Sequence, residues 1–398
     1  MTIRTPRRFR TLTSRVAPAA VGFVALSLVL TGASCRLFEP APAGRDRVLW
    51  RHPLATPGGE ESDWHGVPAS DGRYAFIETD TGVMALDPAD GRTVWANALW
   101  PTRSPAADRI IHHDGTLFLA DRAMVYALSA ASGTLLWQQS FGADSLHQLT
   151  LLGGDDENVY VTQRFEPIVT AARQRDGSVI WQRSVIPDSG FSSIVTGMAR
   201  AGDTVYFGGA RNRAVNGYPK TLVIVGVAEA TGSPLFQFEK TTPNTASSDD
   251  MVVQDSLIIL GDFLQSSVLA INRFNRSKAW EFFGNPVYFG PDFGPVLVGD
   301  TAFIASNDLY VYAVNSRSGE LFWRAHTRAS ISRFALCGRF VIANNQAVVL
   351  VDRGTHAVEG YYVSPTGDEN DFPTSGFAVI GNRAVVTGWR SAFGIDCS

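Results

Sequence analysis

Cysteine is scarce in this 398-residue chain, with three at positions 35, 337 and 397, no two of them neighbours. Histidine is scarce too, at seven, and no Ser/His/Asp or Cys/His constellation can be assembled from these residues, so no catalytic residue is named. His112 and His113 invite a metal reading, yet adjacent residues on a strand point to opposite faces, and neither a metal nor a cofactor is expected. Basic charge is in deficit, with 34 Lys and Arg against 38 Asp and Glu. Nucleic acid is therefore a poor partner, because phosphate neutralisation needs a basic surface. The apolar run from Val16 to Leu30 is too short for a comfortable membrane span, which takes about 20 residues.

What the chain has instead is repetition. The segment Ala85-Leu-Asp-Pro-Ala-Asp-Gly-Arg-Thr-Val-Trp95 places a glycine four residues ahead of a large aromatic. The pattern returns at Gly133 and Trp137, Gly177 and Trp181, Gly232 and Phe236, and Gly319 and Trp323. With Trp50 and Trp280, the aromatic anchors recur every 42 to 45 residues, except for one step of 55 between Trp181 and Phe236. A period of this size marks propellers and solenoids.

Upstream of each anchor lies a turn followed by alternating apolar residues, as in Gly72-Arg-Tyr-Ala-Phe76 and Asp203-Thr-Val-Tyr-Phe207, which reads as a strand. The tight turn before the anchor opens on Asp87, Ser129 or Asn315, and its fifth residue is glycine, where a positive φ is wanted. Four antiparallel strands per repeat make a propeller blade. A solenoid would need polar capping repeats, and the ends carry none. Upstream strands beginning near Arg73, Thr116, Asn158, Thr204, Ser256, Thr301, Arg339 and Arg383 give eight blades.

The last unit stops at Gly394-Ile-Asp-Cys-Ser398, before its turn glycine and its aromatic. The missing piece stands at the other end, as Gly44-Arg-Asp-Arg-Val-Leu-Trp50. An amino-terminal strand that completes the carboxyl-terminal blade would close the ring and remove its sheet edges. The expectation is an all-β, eight-bladed propeller of four-stranded antiparallel blades, with the anchors packing between adjacent blades. Arg276 holds the glycine position before Trp280. His356 holds it in the seventh blade, where Gly360 takes the aromatic slot beside Tyr361, so these two turns are expected to be looser or of another type.

Residues 1–34 read as a signal peptide: five arginines and no acid, an apolar run, then small residues. Residues 35–43 form a Pro/Ala tether and 44–398 the propeller. Taking five arginines from the 34 basic residues leaves 29 against 38 acids, a mature charge near −9. Cys35 stands where bacterial lipoproteins carry their acylated cysteine; cleavage after Ala33 is the alternative. Cys337 and Cys397 lie at turns on the same side of neighbouring blades, either bridged, as an oxidising compartment permits, or as buried thiols.

These repeats, a strand ending Ala-Leu-Asp, a turn ending Gly and a strand carrying Trp, resemble the pyrroloquinoline-quinone (PQQ) type over about residues 44 to 398. With the lipoprotein signal and no second domain, the chain looks most like the BamB family, eight-bladed lipoproteins of the outer-membrane β-barrel assembly machinery. The resemblance implies a non-catalytic, monomeric scaffold on the periplasmic side of the outer membrane. Its implied partners are envelope proteins, among them the barrel-inserting subunit and unfolded barrel substrates. Quinone-dependent dehydrogenases share the repeat but are much longer and carry adjacent cysteines, carboxylates and a calcium. A propeller binding another envelope protein or a polysaccharide is the third reading.

In a four-stranded meander, the connection into each blade and the turn between its second and third strands share one face of the disc. The extra length of the long step falls on that face as Arg211-Asn-Arg-Ala-Val-Asn-Gly-Tyr-Pro-Lys220. The connections carrying Asp249 and Asp250, and Tyr288, Phe289 and Phe293, fall in the same sector. Arg211, Arg213, Tyr218, Asp249, Asp250, Tyr288, Phe289 and Phe293 are therefore the candidate partner-binding residues, since loops on rigid scaffolds carry function. The alternative is that these aromatics fold inward over the gaps between blades.

Overall fold

Alternating apolar residues and glycine-bearing turns build eight four-stranded antiparallel sheets. The computed structural model describes residues 47–398 apart from 55–65, 80, 100–108, 122–123, 143–148, 164–165, 187–191, 213–219, 243–249, 263–266, 285–293, 329–330, 332, 345–346, 364–372 and 389. Cys35 thus lies outside the described residues. Blades 1 to 7 occupy residues 69–98, 111–140, 149–184, 192–242, 251–283, 296–326 and 333–363. Blade 8 combines 373–396 with Val48–Pro53. First strands of successive blades pack on one another around the axis. Second and third strands are buried, and the fourth strands form the exposed outer edge.

One contact holds neighbouring blades together. The Trp95 indole N–H donates to the carbonyl of Ala130 in the next blade at 3.0 Å, and the ring lies on Gly133. A Cβ on Gly133 would come within 2.4 Å of that ring. Trp50 rests likewise on Gly91, Trp137 on Gly177, Trp181 on Gly232 and Trp280 on Gly319. Their N–H groups reach Pro88, Gln174, Glu229 and Ser316 of the following blade. The turn glycine therefore meets two demands, a φ near +70° and an empty Cβ position. On its own sheet each anchor stands opposite a small residue: Ala85 for Trp95, Ala127 for Trp137, Gly226 for Phe236 and Gly394 for Trp50.

The two blades without the glycine correct an expectation. Arg276 and His356 adopt the same positive φ, 61° and 63°. Their turns close with the same bond, Arg276 N–H to Asn272 O at 2.9 Å and His356 N–H to Asp352 O at 2.8 Å, against 2.9 Å for Gly91 N–H to Asp87 O. Neither turn is looser or of another type. A flat side chain takes over the docking: the His356 ring stacks on Trp323 with centroids 4.6 Å apart, and the Arg276 guanidinium lies 6.0 Å from the Phe236 ring centre. Such stacking offsets the roughly 1 kcal/mol that a left-handed residue costs. In blade 7, Tyr361 rather than Gly360 takes the paired position, opposite Val349, and Gly360 is left out by a bulge.

Closure follows the split repeat. Val48–Pro53 pairs antiparallel with Ser391–Asp396, placing Trp50 opposite Gly394 in the sheet that contains Arg383–Gly388. Arg47, buried just ahead of this strand, donates from Nη1 to the carbonyls of Asp396 at 3.2 Å and Ser398 at 2.9 Å, and from Nη2 to Glu359 at 3.2 Å. Cys337 of blade 7 is bridged to Cys397, their Cα atoms 5.7 Å apart. Two elements besides the strand pairing thus tie the final blade shut.

Two measurements check this account. Gly115 has φ +73° with nothing within 4 Å of a Cβ, whereas Gly133, at +69°, lies under a tryptophan. Gly115→Ala should cost about 1 kcal/mol, and Gly133→Ala about 1–3 kcal/mol beyond that, in urea unfolding. Equal losses would mean the glycine serves backbone conformation alone. The bridge spans 60 positions, and its removal by paired Cys→Ser changes should cost about 4 kcal/mol; an unmoved urea midpoint would show that strand pairing closes the ring unaided.

Candidate functional site at the upper channel mouth

We call the face with the connections into each blade the upper face. Arg109 precedes the first strand of blade 2 and Asp250 the first strand of blade 5, yet Arg109 Nη1 lies 3.0 Å from Asp250 Oδ1. These blades are separated by two others, so in a closed ring the pair spans the channel mouth. On one side Arg109 forms a parallel bridge with Val67 ahead of blade 1, where the Ile110 N–H meets the Val67 carbonyl at 3.0 Å. Gly376 of blade 8 packs on Val67 so closely that a Cβ would sit 2.7 Å from it. On the other side Gly294, ahead of blade 6, packs on Asp250, with 2.4 Å from a Cβ to the carbonyl oxygen. A line of contacts thus crosses the mouth from blades 8, 1 and 2 to blades 5 and 6.

Blade 4 stands above this mouth. Its strands, Ser192–Ala201, Thr204–Asn212, Lys220–Ala228 and Pro234–Thr242, run nine or ten residues where most others run six or fewer. The lower turns keep the common pattern, so the extra residues lie at the upper end and raise it by about 10 Å at 3.4 Å per residue. The long step was expected to form a loop. Instead Arg211, Asn212 and Lys220 belong to strands, and the first and fourth strands lengthen too. The signal was present in Phe236-Gln-Phe-Glu, whose alternation continues past the anchor.

Arg211 sits on this extension with its guanidinium on Glu239 at 3.0 and 3.3 Å. Lys240 ties the raised wall to blade 5, contacting Glu281 at 2.5 Å and Asp262 at 3.4 Å. Burial pushes the Glu281 carboxyl up, but bonds from Lys240, Lys278 and Ser267 more than reverse this and hold it below its ordinary range. Of the candidate residues, Arg211 and Asp250 are thus placed, and they engage Glu239 and Arg109 rather than each other. Arg213, Tyr218, Asp249, Tyr288, Phe289 and Phe293 lie outside the described residues. Sequence reasoning missed Arg109, since no local pattern marks a residue whose partner is 141 positions away.

Elsewhere the groups are consumed structurally. His112 stacks on Phe76 at 6.0 Å, burial holding its pKa below the ordinary value, while His113 reaches Asp156 at 3.4 Å. Among the described residues, no three His, Cys, Asp or Glu side chains are placed to hold a metal. On the lower face two adjoining clefts of about 410 and 390 Å³ share Asp156, Glu157 and Arg173. The most buried acid there, Asp155, accepts the Tyr160 hydroxyl at 2.8 Å and the backbone N–H groups of Glu157 and Asn158.

A repeat family described as outer membrane protein assembly factor BamB matches residues 80–221, most of blades 1 to 4. The chain is a propeller of PQQ-type repeats that resembles BamB. The crystal structure of BamB from Moraxella catarrhalis is 18% identical, with 72% of this chain and 82% of that one covered at a TM-score of 0.52. Quinohemoprotein alcohol dehydrogenase from Comamonas testosteroni is 11% identical, with 88% and 76% covered and a TM-score of 0.64. The computationally designed Ika8 protein is 10% identical, with 88% and 99% covered and a TM-score of 0.66. No curated protein matches the sequence. At these identities the solved structures establish the fold, and shape alone does not separate scaffold from enzyme.

The brace across the mouth can be measured. Arg109→Ala, Asp250→Ala and the double variant should give a coupling of about 0.5–1 kcal/mol in a double-mutant cycle, the range for partly exposed pairs. Strict additivity would mean the two residues do not interact in solution.

Proposed function

We propose that the chain is a non-catalytic scaffold lipoprotein of the bacterial envelope, anchored through Cys35 on the periplasmic side of the outer membrane. As in the BamB resemblance, it supports assembly of outer-membrane β-barrel proteins through protein contacts. The observation that carries this reading is the upper face itself: a mouth spanned by Arg109 and Asp250 beside a wall raised by blade 4. A braced ring with a protruding edge is suited to hold a protein surface. The Cys337–Cys397 bridge fits an exported protein, since such bonds persist in oxidising compartments. The receiving surface is assigned to Arg211 and Asp250 and, by their positions in the sequence, to Arg213, Tyr218, Asp249, Tyr288, Phe289 and Phe293, since aromatics beside charges are common interface anchors.

The dehydrogenase likeness raises the question of a quinone. The chain's residues do not fit that group as the repeat family's enzymes hold it. They offer no adjacent cysteine pair, and the two cysteines of the propeller, 60 positions apart, are bonded to each other. No step through a quinone is therefore derived.

The test is capture in the membrane. A photocrosslinker at position 211 should trap a component of the barrel-assembly complex, and the trapped yield should fall when Arg213 and Asp250 are both replaced by residues of opposite charge. An Arg109→Ala variant controls for loss of the brace. Trapping of unrelated proteins only, or a visible chromophore and calcium dependence in the purified chain, would refute the scaffold reading.

A further inference from the structure

The two ends of the disc differ in exposed apolar surface. All but one of the large apolar side chains left exposed among the described residues lie at the lower end. Leu49, Leu136, Leu235 and Phe322 each directly precede an anchor aromatic, so by the repeat they lie on one circle parallel to the disc face. Phe274, in a lower turn of blade 5, is 70% exposed. The exception is Phe283, 60% exposed at the upper end of blade 5. The four beside the anchors sit on alternate blades, 8, 2, 4 and 6, so they form a spaced ring and not a contiguous patch, and what sets them apart is that they share one end of the disc. Arginine occurs at the same end: the Arg273 guanidinium lies 4.4 Å from the Phe274 ring centre, and Arg92 and Arg175 stand exposed in the lower turns of blades 1 and 3, where they pair with Asp87 and Asp176.

The chain outside the described residues identifies the occupant. Strand Val48–Pro53 is the fourth of blade 8 and starts at its lower end. The amino-terminal segment therefore joins the propeller at the apolar rim, next to Leu49. Twelve residue steps separate Cys35 from Arg47, and even fully extended they reach only about 40 Å. A lipid on Cys35 therefore holds the point where the chain enters the propeller, at this end of the disc, within that distance of the bilayer.

We propose that the lower rim rests on the surface of the bilayer that holds the Cys35 lipid. Phe274, Phe322, Leu136 and Leu235 enter the headgroup region, and the arginines at that end keep their charged ends in the polar layer. This rests on the lipoprotein reading above and extends it: the braced mouth and raised blade 4 face away from the membrane, toward the aqueous space where a partner is met.

The experiment places bimane on Phe274→Cys, Phe322→Cys and, as control, Phe283→Cys in the full chain. Each is bound to phosphatidylcholine/phosphatidylglycerol vesicles with or without brominated acyl chains. Cys337 and Cys397, bridged and buried, stay unlabelled, and the chain without an introduced cysteine is labelled in parallel so that any bimane on an unlipidated Cys35 is subtracted. Loss of emission on bromination at 274 and 322, with none at 283, is the expected result. Unchanged emission at 274 and 322 in a chain that floats with the vesicles overturns the proposal, as does an equal loss at 283. Palmitate labelling of the wild type against Cys35→Ser separates this from the anchor. Incorporation without quenching refutes the rim contact alone. Absence of both incorporation and quenching refutes the two together, and quenching without incorporation upholds the rim while removing the anchor.

Discussion

An indole lying on a glycine of the next blade is the contact on which the rest of this structure depends. A four-stranded sheet has two apolar faces and cannot bury either by itself, so each blade is stable only between neighbours. The tryptophan buries its ring against that neighbour and satisfies its N–H on a carbonyl of the same turn, which avoids the cost of an orphaned donor. Because the contact runs from one blade to the next and never back, repetition either closes or continues without limit. Here it closes through Trp50, which belongs by sequence to the first strand and by structure to the last blade. Its ring sits on Gly91 of blade 1 while its strand pairs with Ser391–Asp396.

How far the sequence reveals this depends on the range of each interaction. The blade count and the split repeat were legible because both are periodic. The turn glycine was legible as a backbone demand, but its second reason, the ring above it, joins residues of different blades. The same gap explains Arg276 and His356. Judged by backbone preference alone they weaken their turns, whereas a partner aromatic from the preceding blade makes them equivalent to glycine. Blade 4 was half legible: its added residues were located, but the alternation that makes them strands was not followed into the flanking segments. Arg109 and Asp250 were illegible as a pair, since nothing brings them together until the ring is closed.

The two faces differ in ways that fold likeness does not reveal. Similarity of shape is greater to a dehydrogenase and a designed protein than to BamB, while sequence identity runs the other way. A rigid ring is common to all three, so discrimination must come from what the upper connections place over the channel and from what the lower rim exposes. The upper end carries connections of uneven length and a wall of paired strands. The lower end carries short, uniform turns with an apolar circle beside the point where the chain arrives.

The brace itself is informative because of its small energy. A partly exposed ion pair contributes about 1 kcal/mol or less, a minor share beside the buried apolar clusters between neighbouring blades. The ring would hold blades 2 and 5 in place without it. Arg109 and Asp250 are thus positioned by the propeller rather than the reverse, and their meeting links the residues that lead into the first strands of blades 2 and 5. Groups held in place before a ligand arrives lose less entropy on binding, so a weak ion pair at the mouth has its physical effect through geometry and not through stability.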